Sequence, residues 1–360
     1  MVTIKEIAEL TGVSPTTVQN VIHGRTNKVS KENLERIRSA LAELHYVPRL
    51  AHETMTRGRT KIIGVVIWAN RRYEETAAAD PFYGQIIGFL ESEIRRAGYY
   101  MMLYIEADVD TIFRTAASWN MSGVIAVSFT KQSLEKLRTL MDGYPVIGID
   151  TARRTGPVAD NVGLDDEDGG YRMTKYLLSR GYERILFIRE PERQADNQRL
   201  KGFRRAFREE NIPLRDRDLL VLERVDNTRN EECLEYIKSF AGKKCAVFCS
   251  SDLLAVKVMR FLLENRVRIP EDMGIAGFDD NVYARMVWPS LTTMHQSVRR
   301  KAEEAVRMLL CALDKRDREA EEHQENDAGR SLREGAVSRD AYTGTELMLK
   351  AEVVVRHSTV

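Results

Sequence analysis

Between residues 4 and 22, IKEIAELTGVSPTTVQNVI, apolar positions recur at helical spacing twice, with a break between the two runs. Ile4, Ile7, Ala8 and Leu10 share a face of the first run, and Val18, Val21 and Ile22 share a face of the second. Gly12 tolerates the left-handed conformation that ends a helix, and Val13 is apolar enough to plug the angle between two helices. Ser14 is a favoured N-cap, and Pro15 suits a first helical turn, where its missing N–H is no loss. The pattern predicts a helix-turn-helix, in which one helix supports a second that enters the DNA major groove. Capped starts and apolar stripes also occur in ordinary surface helices. What singles this segment out is that Ala8, Gly12 and the apolar positions are all in register. Thr3, Ser14, Pro15, Thr16, Gln19, Asn20 and His23 are its candidate DNA contacts.

A third amphipathic helix is predicted from about Lys31 to His45, with Ser30 as N-cap and Leu34, Ile37, Leu41 and Leu44 as its buried stripe. Pro48 then breaks the chain. Residues 49–56, RLAHETMT, have helical character but fall short of the ~12–15 residues that a lone helix needs in water, so this segment should order only when supported. From Lys61 onward the pattern alternates between strands and helices. KIIGVVIW, YYMMLYI, GVIAVS and PVIGID form one series of apolar strands, and ERILFI, AVFCSS and MGIAGFDD belong to a second. Repeated βα units of this kind mean parallel sheets covered on both faces, with ligand expected at the carboxyl ends of the strands. The fold class is therefore α/β, preceded by an all-α headpiece. Residues 314–345 are charged and poor in apolar positions and read as a long, mobile surface insertion; ELMLKAEVVVR (346–356) returns to strand character.

At 360 residues the chain suits two or three domains. Its formal net charge is only +1, but residues 1–60 carry nine Lys/Arg against six Glu, a modest phosphate-binding bias where it is needed. The four cysteines, Cys233, Cys245, Cys249 and Cys311, show neither metal-ligand spacing nor a disulfide framework, and Cys245 and Cys249 lie in an apolar run expected to bury them as free thiols. No apolar run approaches the ~18–20 residues of a membrane span, and the charged N-terminus is unlike a signal peptide, so a cytoplasmic protein is expected. No GxGxxG follows the first strand, and GxxxxGK[ST], GxSxG and HExxH are all missing from the sequence, which weighs against an enzyme; no cofactor or metal is expected.

The chain closely resembles the LacI/GalR family of bacterial transcription regulators. The resemblance is carried by VTIKEIAELTGVSPTTVQNVI, VSKENLERIRSALAELHYVP, TKIIGVVI, DPF, GYERILFI, RLKGFRRAF, IPEDMGIAGFDD, PSLTTMHQ and a closing VVVRHST. It implies a headpiece at 1–47, a hinge helix at 48–60 and a core at 61–360 similar to periplasmic sugar-binding proteins. The core would have an N-subdomain (about 61–157 plus part of 285–320) and a C-subdomain (about 158–284 plus the C-terminal strand). It also implies a homodimer on a pseudo-palindromic double-stranded operator, controlled by a small sugar-like effector bound between the subdomains. The recognition helix commonly shows Ser-Arg in the family where this chain has Gln19-Asn20; either amide can pair bidentately with adenine, so an altered half-site is expected. Met55 stands where the family inserts a leucine into the minor groove, His52 where a small residue lets the hinge helices approach, and Arg49 opens that segment. For the effector, the resemblance implies Arg199 and Asp279, with Asp150, Asp80 and Phe82 as further pocket positions and Phe82 or Trp288 as an apolar face. Ser251 stands where Asn is common before Asp252, and residues 69–79 lengthen a loop over the pocket, which points to an altered ligand. Readings left open are a non-sugar effector acting as co-repressor, a solute receptor, and an enzyme with the same core.

Overall fold

Thr3 opens helix α1 (Ile4–Thr11) with a capping box: its hydroxyl accepts from the Glu6 N–H at 3.3 Å, and the Glu6 carboxylate accepts from the Thr3 N–H at 2.7 Å. In this computed structural model, residues 3–22, 25–44, 60–68, 80–152, 158–191, 193–223, 227–328 and 345–360 are described. The chain forms two compact units, Met1–Lys61 and Ile62–Val360. In the first, Gly12 ends α1 at φ +65, and Ser14 caps α2 (Pro15–Ile22) by accepting from the Thr17 N–H at 3.2 Å. Ser30 caps α3 (Lys31–Glu43) in the same way. The three helices share a core of Ile7, Ala8, Val18, Val21, Ile37 and Ala40. Leu10 departs from expectation: it is 67% exposed, and Thr11 takes the buried place, its hydroxyl donating to the Ile7 carbonyl at 2.6 Å. Thr11, four residues after Ile7, continues the inward stripe; Leu10 lies one step around the helix from it.

The second unit begins with β1 (Ile62–Ile67), α4 (Pro81–Arg96), β2 (Tyr100–Ile105), α5 (Val109–Ser118), β3 (Gly123–Val127), α6 (Lys131–Leu140), β4 (Val146–Ile149) and β5 (Asn161–Leu164). It continues with α7 (Asp166–Ser179), β6 (Arg184–Arg189), α8 (Gln194–Glu209), β7 (Leu219–Val221), α9 (Thr228–Lys238), β8 (Cys245–Cys249), α10 (Asp252–Glu264) and β9 (Gly274–Asp279). The last elements are α11 (Val282–Met286), β10 (Thr292–His295), α12 (Val298–Ala328), β11 (Glu346–Leu349) and β12 (Glu352–Val354). Two six-stranded sheets result, in the orders β11-β5-β4-β3-β1-β2 and β12-β10-β9-β8-β6-β7. All pairings are parallel except β10 with β12. β1, β3, β4 and β8 are buried almost throughout, as expected of strands covered on both faces. Cys245 and Cys249 lie on β8, and burial pushes the Cys245 thiol up to about 12, leaving it an inert apolar filler.

The chain passes between the sheets after β5, between β10 and α12, and at Lys350-Ala351 between β11 and β12. These crossings correct the expected subdomain boundaries. β5 pairs with β4, so the first crossing falls after Leu164 and not near residue 158. Within the 285–320 stretch, β10 belongs to the second sheet, and only α12 packs on α4 and the first sheet. The expected C-terminal strand is two strands, one for each sheet, because the Leu349 carbonyl accepts from the Asp165 N–H at 2.8 Å and Ala351 is fully buried. The expected irregular insertion is also corrected: α12 runs on to Ala328. Local pairs such as Lys315–Glu319 accompany this otherwise polar stretch of helix. The rest of that stretch, 329–344, lies outside the described residues.

Candidate functional site

In the headpiece, α2 turns Val18 and Val21 into the core and leaves Ser14, Pro15 and Thr16 exposed, with Gln19 and Asn20 partly so. Polar amides on one side of a helix anchored from the other are what base-edge recognition needs. Thr3 and Ser14 are each engaged in capping their own helix. The other DNA-contact candidates, His23, Arg49, His52 and Met55, lie outside the described residues, as does the 69–79 loop.

The second unit holds a cavity of about 430 Å3 at the carboxyl ends of strands from both sheets. Asp80, Phe82, Asp150, Arg199, Ser251 and Asp279 line it. Trp288 does not: it is 78% exposed, its ring 5.9 Å from that of His357. The tryptophan on the cavity wall is Trp68, which directly follows β1 and packs on Phe129 at 4.8 Å. A residue one step past a strand's carboxyl end reaches the cavity; Trp288 lies beyond α11, on the way into β10.

Each wall residue is fixed by its element. Asp80 caps α4, accepting from the Phe82 N–H at 3.0 Å. Ser251 caps α10, accepting from the Leu254 N–H at 3.3 Å. Asp150 leaves β4 at φ +49, its N–H held by the Val162 carbonyl at 2.9 Å. Arg199 rises from α8 and is 4% exposed: its Nε donates to Asp166 at 2.8 Å, Nη1 donates to the Ser250 carbonyl and lies 3.8 Å from Asp279, and the guanidinium lies 3.6 Å from the centroid of the Phe278 ring. Close approach of α7 and α8 makes this possible. A Cβ on Gly170 would lie 2.1 Å from the Arg199 carbonyl oxygen, and one on Gly202 would lie 1.9 Å from that of Glu167.

A polar chain joins the two sheets across the cavity floor. Lys301 on α12 donates to Asp150 at 2.5 Å and to the Gln296 Oε1 at 2.6 Å, and Gln296 Nε2 donates to Asp279 at 2.7 Å. Burial pushes the Asp279 carboxyl up to about 6, with the Asp80 charge adding to the push and Arg199 and Arg193 opposing it. Burial raises Asp166 as well, against the pull of Arg199. Sequence reasoning missed Lys301, Gln296, Asp166, Arg193 and Trp68. One signal was available: Lys301 falls on the apolar stripe of Val298, Ala302, Ala305 and Leu309, where a charge needs a buried partner.

The comparisons with known proteins agree with both halves. The model of bacterial regulatory proteins of the lacI family matches residues 3–49, and that of the periplasmic binding protein-like domain matches 174–336. The chain is 32% identical over 328 residues to the HTH-type transcriptional repressor PurR of Vibrio vulnificus (strain CMCP6), covering 86% of this chain and 91% of that one. It is 30% identical to the repressor of the same name from Haemophilus influenzae (strain PittEE), covering 91% of this chain and 96% of that one. The lac repressor dimer bound to operator and the anti-inducer ONPF shares the fold at a TM-score of 0.79 with 20% identity, covering 100% of this chain and 99% of that one. A CelR–cellobiose complex does so at 0.65 with 23% identity, covering 99% and 100%. A helix-turn-helix headpiece followed by this two-sheet core, at such identity to known repressors over nearly their whole length, means that the chain belongs to the lacI family of bacterial regulatory proteins and is a DNA-binding transcriptional repressor, not an enzyme.

Proposed function

We propose that this repressor acts in the cytoplasm as a homodimer on a pseudo-palindromic operator of carbohydrate-utilisation genes, and that a sugar or sugar derivative in the cavity between the two sheets controls its affinity for DNA. The observation that carries the reading is the cavity wall itself. Asp150, Asp279 and Arg199 converge from different elements, and Phe82 and Trp68 offer aromatic faces beside them. Charged acceptors and donors beside aromatic rings suit vicinal hydroxyls and the apolar face of a sugar ring. Carboxylates outnumber cations along the wall, which favours uncharged sugars over sugar phosphates or sugar acids. Among proteins of similar fold, CelR is in complex with cellobiose and an Enterococcus faecium regulator holds ribose.

Gln19 and Asn20 read the operator, with an adenine under one of them, and on DNA the 49–56 segment serves as the hinge, with Met55 wedging into the minor groove. An effector that changes the angle between the sheets then changes how the two hinge segments meet. Such coupling is typically ~1–3 kcal/mol and reciprocal, so operator must shift effector affinity by the same factor. The test is selection of operator from random DNA, followed by sugar titration of the protein with and without that operator. A saturable sugar whose affinity changes on DNA supports the reading; sugar binding indifferent to operator, or no sugar binding, removes it.

A further inference from the structure

Among the described residues, Lys301 is the one charged residue on the buried stripe of α12, and it lines the cavity with its side chain 1% exposed. Burying an ammonium is unfavourable unless its donors find partners. Nζ donates to Asp150 Oδ2 at 2.5 Å and to Gln296 Oε1 at 2.6 Å, and it lies 5.2 Å from the centroid of the Phe82 ring. The ammonium is thus engaged by the protein, and its consequence for a ligand falls on the groups it holds. Asp150 lines the cavity with one oxygen on Lys301, while Oδ1 is buried with no hydrogen-bond partner among the described residues. What a ligand can reach is the exposed part of the carboxylate rather than Oδ1, the side chain being 23% exposed, and a carboxylate oxygen bonded once keeps a lone pair for a further donor. An uncompensated carboxylate would favour a cationic donor through a charge-assisted hydrogen bond. With Lys301 in contact the pair carries no net charge and its ammonium repels a second cation at close range, so the donor that fits at Asp150 is a hydroxyl even though carboxylates outnumber cations along the wall as a whole. Lys301 also holds the Gln296 carbonyl oxygen, which leaves Nε2 directed at Asp279.

The geometry points to Lys301 as a specificity-determining positioning residue: it makes Asp150 an acceptor for a neutral hydroxyl and turns away ligands that carry an ammonium at that place, such as amino sugars. This inference rests on the reading of the cavity as a sugar site. It is tested by calorimetric titration of the full-length protein with matched pairs, D-glucose with D-glucosamine and D-galactose with D-galactosamine, in wild type, K301M, K301Q and K301R. Wild type and K301R should prefer the neutral member by about tenfold or more, and K301M should shift the preference toward the amine by a similar factor. K301Q keeps a polar head at the same depth and carries the comparison should K301M fail to fold. An order of preference unchanged in K301M or K301Q overturns the role of Lys301 while leaving the sugar site standing. If neither member of either pair binds wild type or the variants, the reading of the cavity as a site for these sugars falls, and the assignment of Lys301 with it.

Discussion

The groups expected to face DNA in the headpiece are set by partners one helical turn away, Thr3 by Glu6 and Ser14 by Thr17, over a core of six buried side chains. The cavity is built the other way. Asp150 meets Lys301 across 151 residues of chain, Arg199 meets Ser250 across 51, and the wall residues are drawn from strand ends and helices of both sheets. A surface that reads another molecule by exposed amides needs only a rigid platform, and local capping supplies one. A site that must bury charge needs every charge paired at once, and only the assembled sheets bring the partners together. Damage should therefore propagate differently in the two regions.

The largest effect is expected in the cavity. Arg199→Met would leave Asp166 and Asp279 buried without their shared cation, at a cost of about 3–5 kcal/mol in denaturant unfolding of the core, together with loss of effector binding. A cost under ~1 kcal/mol would mean that the network is not tightly bound. Next, Ile37→Ala in the small headpiece core should cost about 2–5 kcal/mol, comparable with what so small a domain has to spare. It should abolish operator binding in an anisotropy assay while effector titration stays unchanged; a parallel loss of effector binding would break the contrast between the regions. A smaller and more selective effect is expected from Asn20→Ala, which should relax base preference at one half-site position by about 1–3 kcal/mol without changing stability. Unaltered preference in sites selected from random DNA would remove Asn20 from base readout.

The smallest effect is a pH dependence. The folded state holds the Asp279 carboxyl near 6, above its unfolded value, so its protonated form is the one the fold favours. The stability it contributes is fully present below the unfolded value and is lost as pH rises through about 6. A ligand that donates to the ionised carboxylate works in the opposite sense. Its affinity should weaken by up to about tenfold per unit as pH falls below the Asp279 value. Asp279→Asn should flatten both profiles between pH 4 and 7, read by thermal melts and titration calorimetry; a wild-type slope surviving in that variant would place the proton elsewhere.

The legibility of each region follows the same division. The headpiece could be read from the sequence because Ser14-Pro15, Gly12 and Ser30 act within a turn of where they stand. Leu10, misjudged among the described residues, is a matter of one step around a helix. Strands such as IIGVVI announced themselves by continuous apolar character, and the carboxyl ends of those strands marked where ligand would lie. Asp80, Asp150, Arg199 and Asp279 were accessible through family resemblance. The choice between Trp68 and Trp288 was not, since both are aromatic and only the register of β1 decides which reaches the wall.

The sequence by itself determined a helix-turn-helix headpiece followed by a parallel-sheet core, because capping, helical periodicity and buried-strand runs are short-range signals written in consecutive residues. The tertiary structure alone decided that the C-terminal strand is shared between two sheets and that the first crossing falls after Leu164. It also decided that Lys301, on an otherwise apolar helix stripe, is the counter-ion of Asp150. The physical reason is the cost of a buried charge, which is met only by a partner that folding brings from far along the chain.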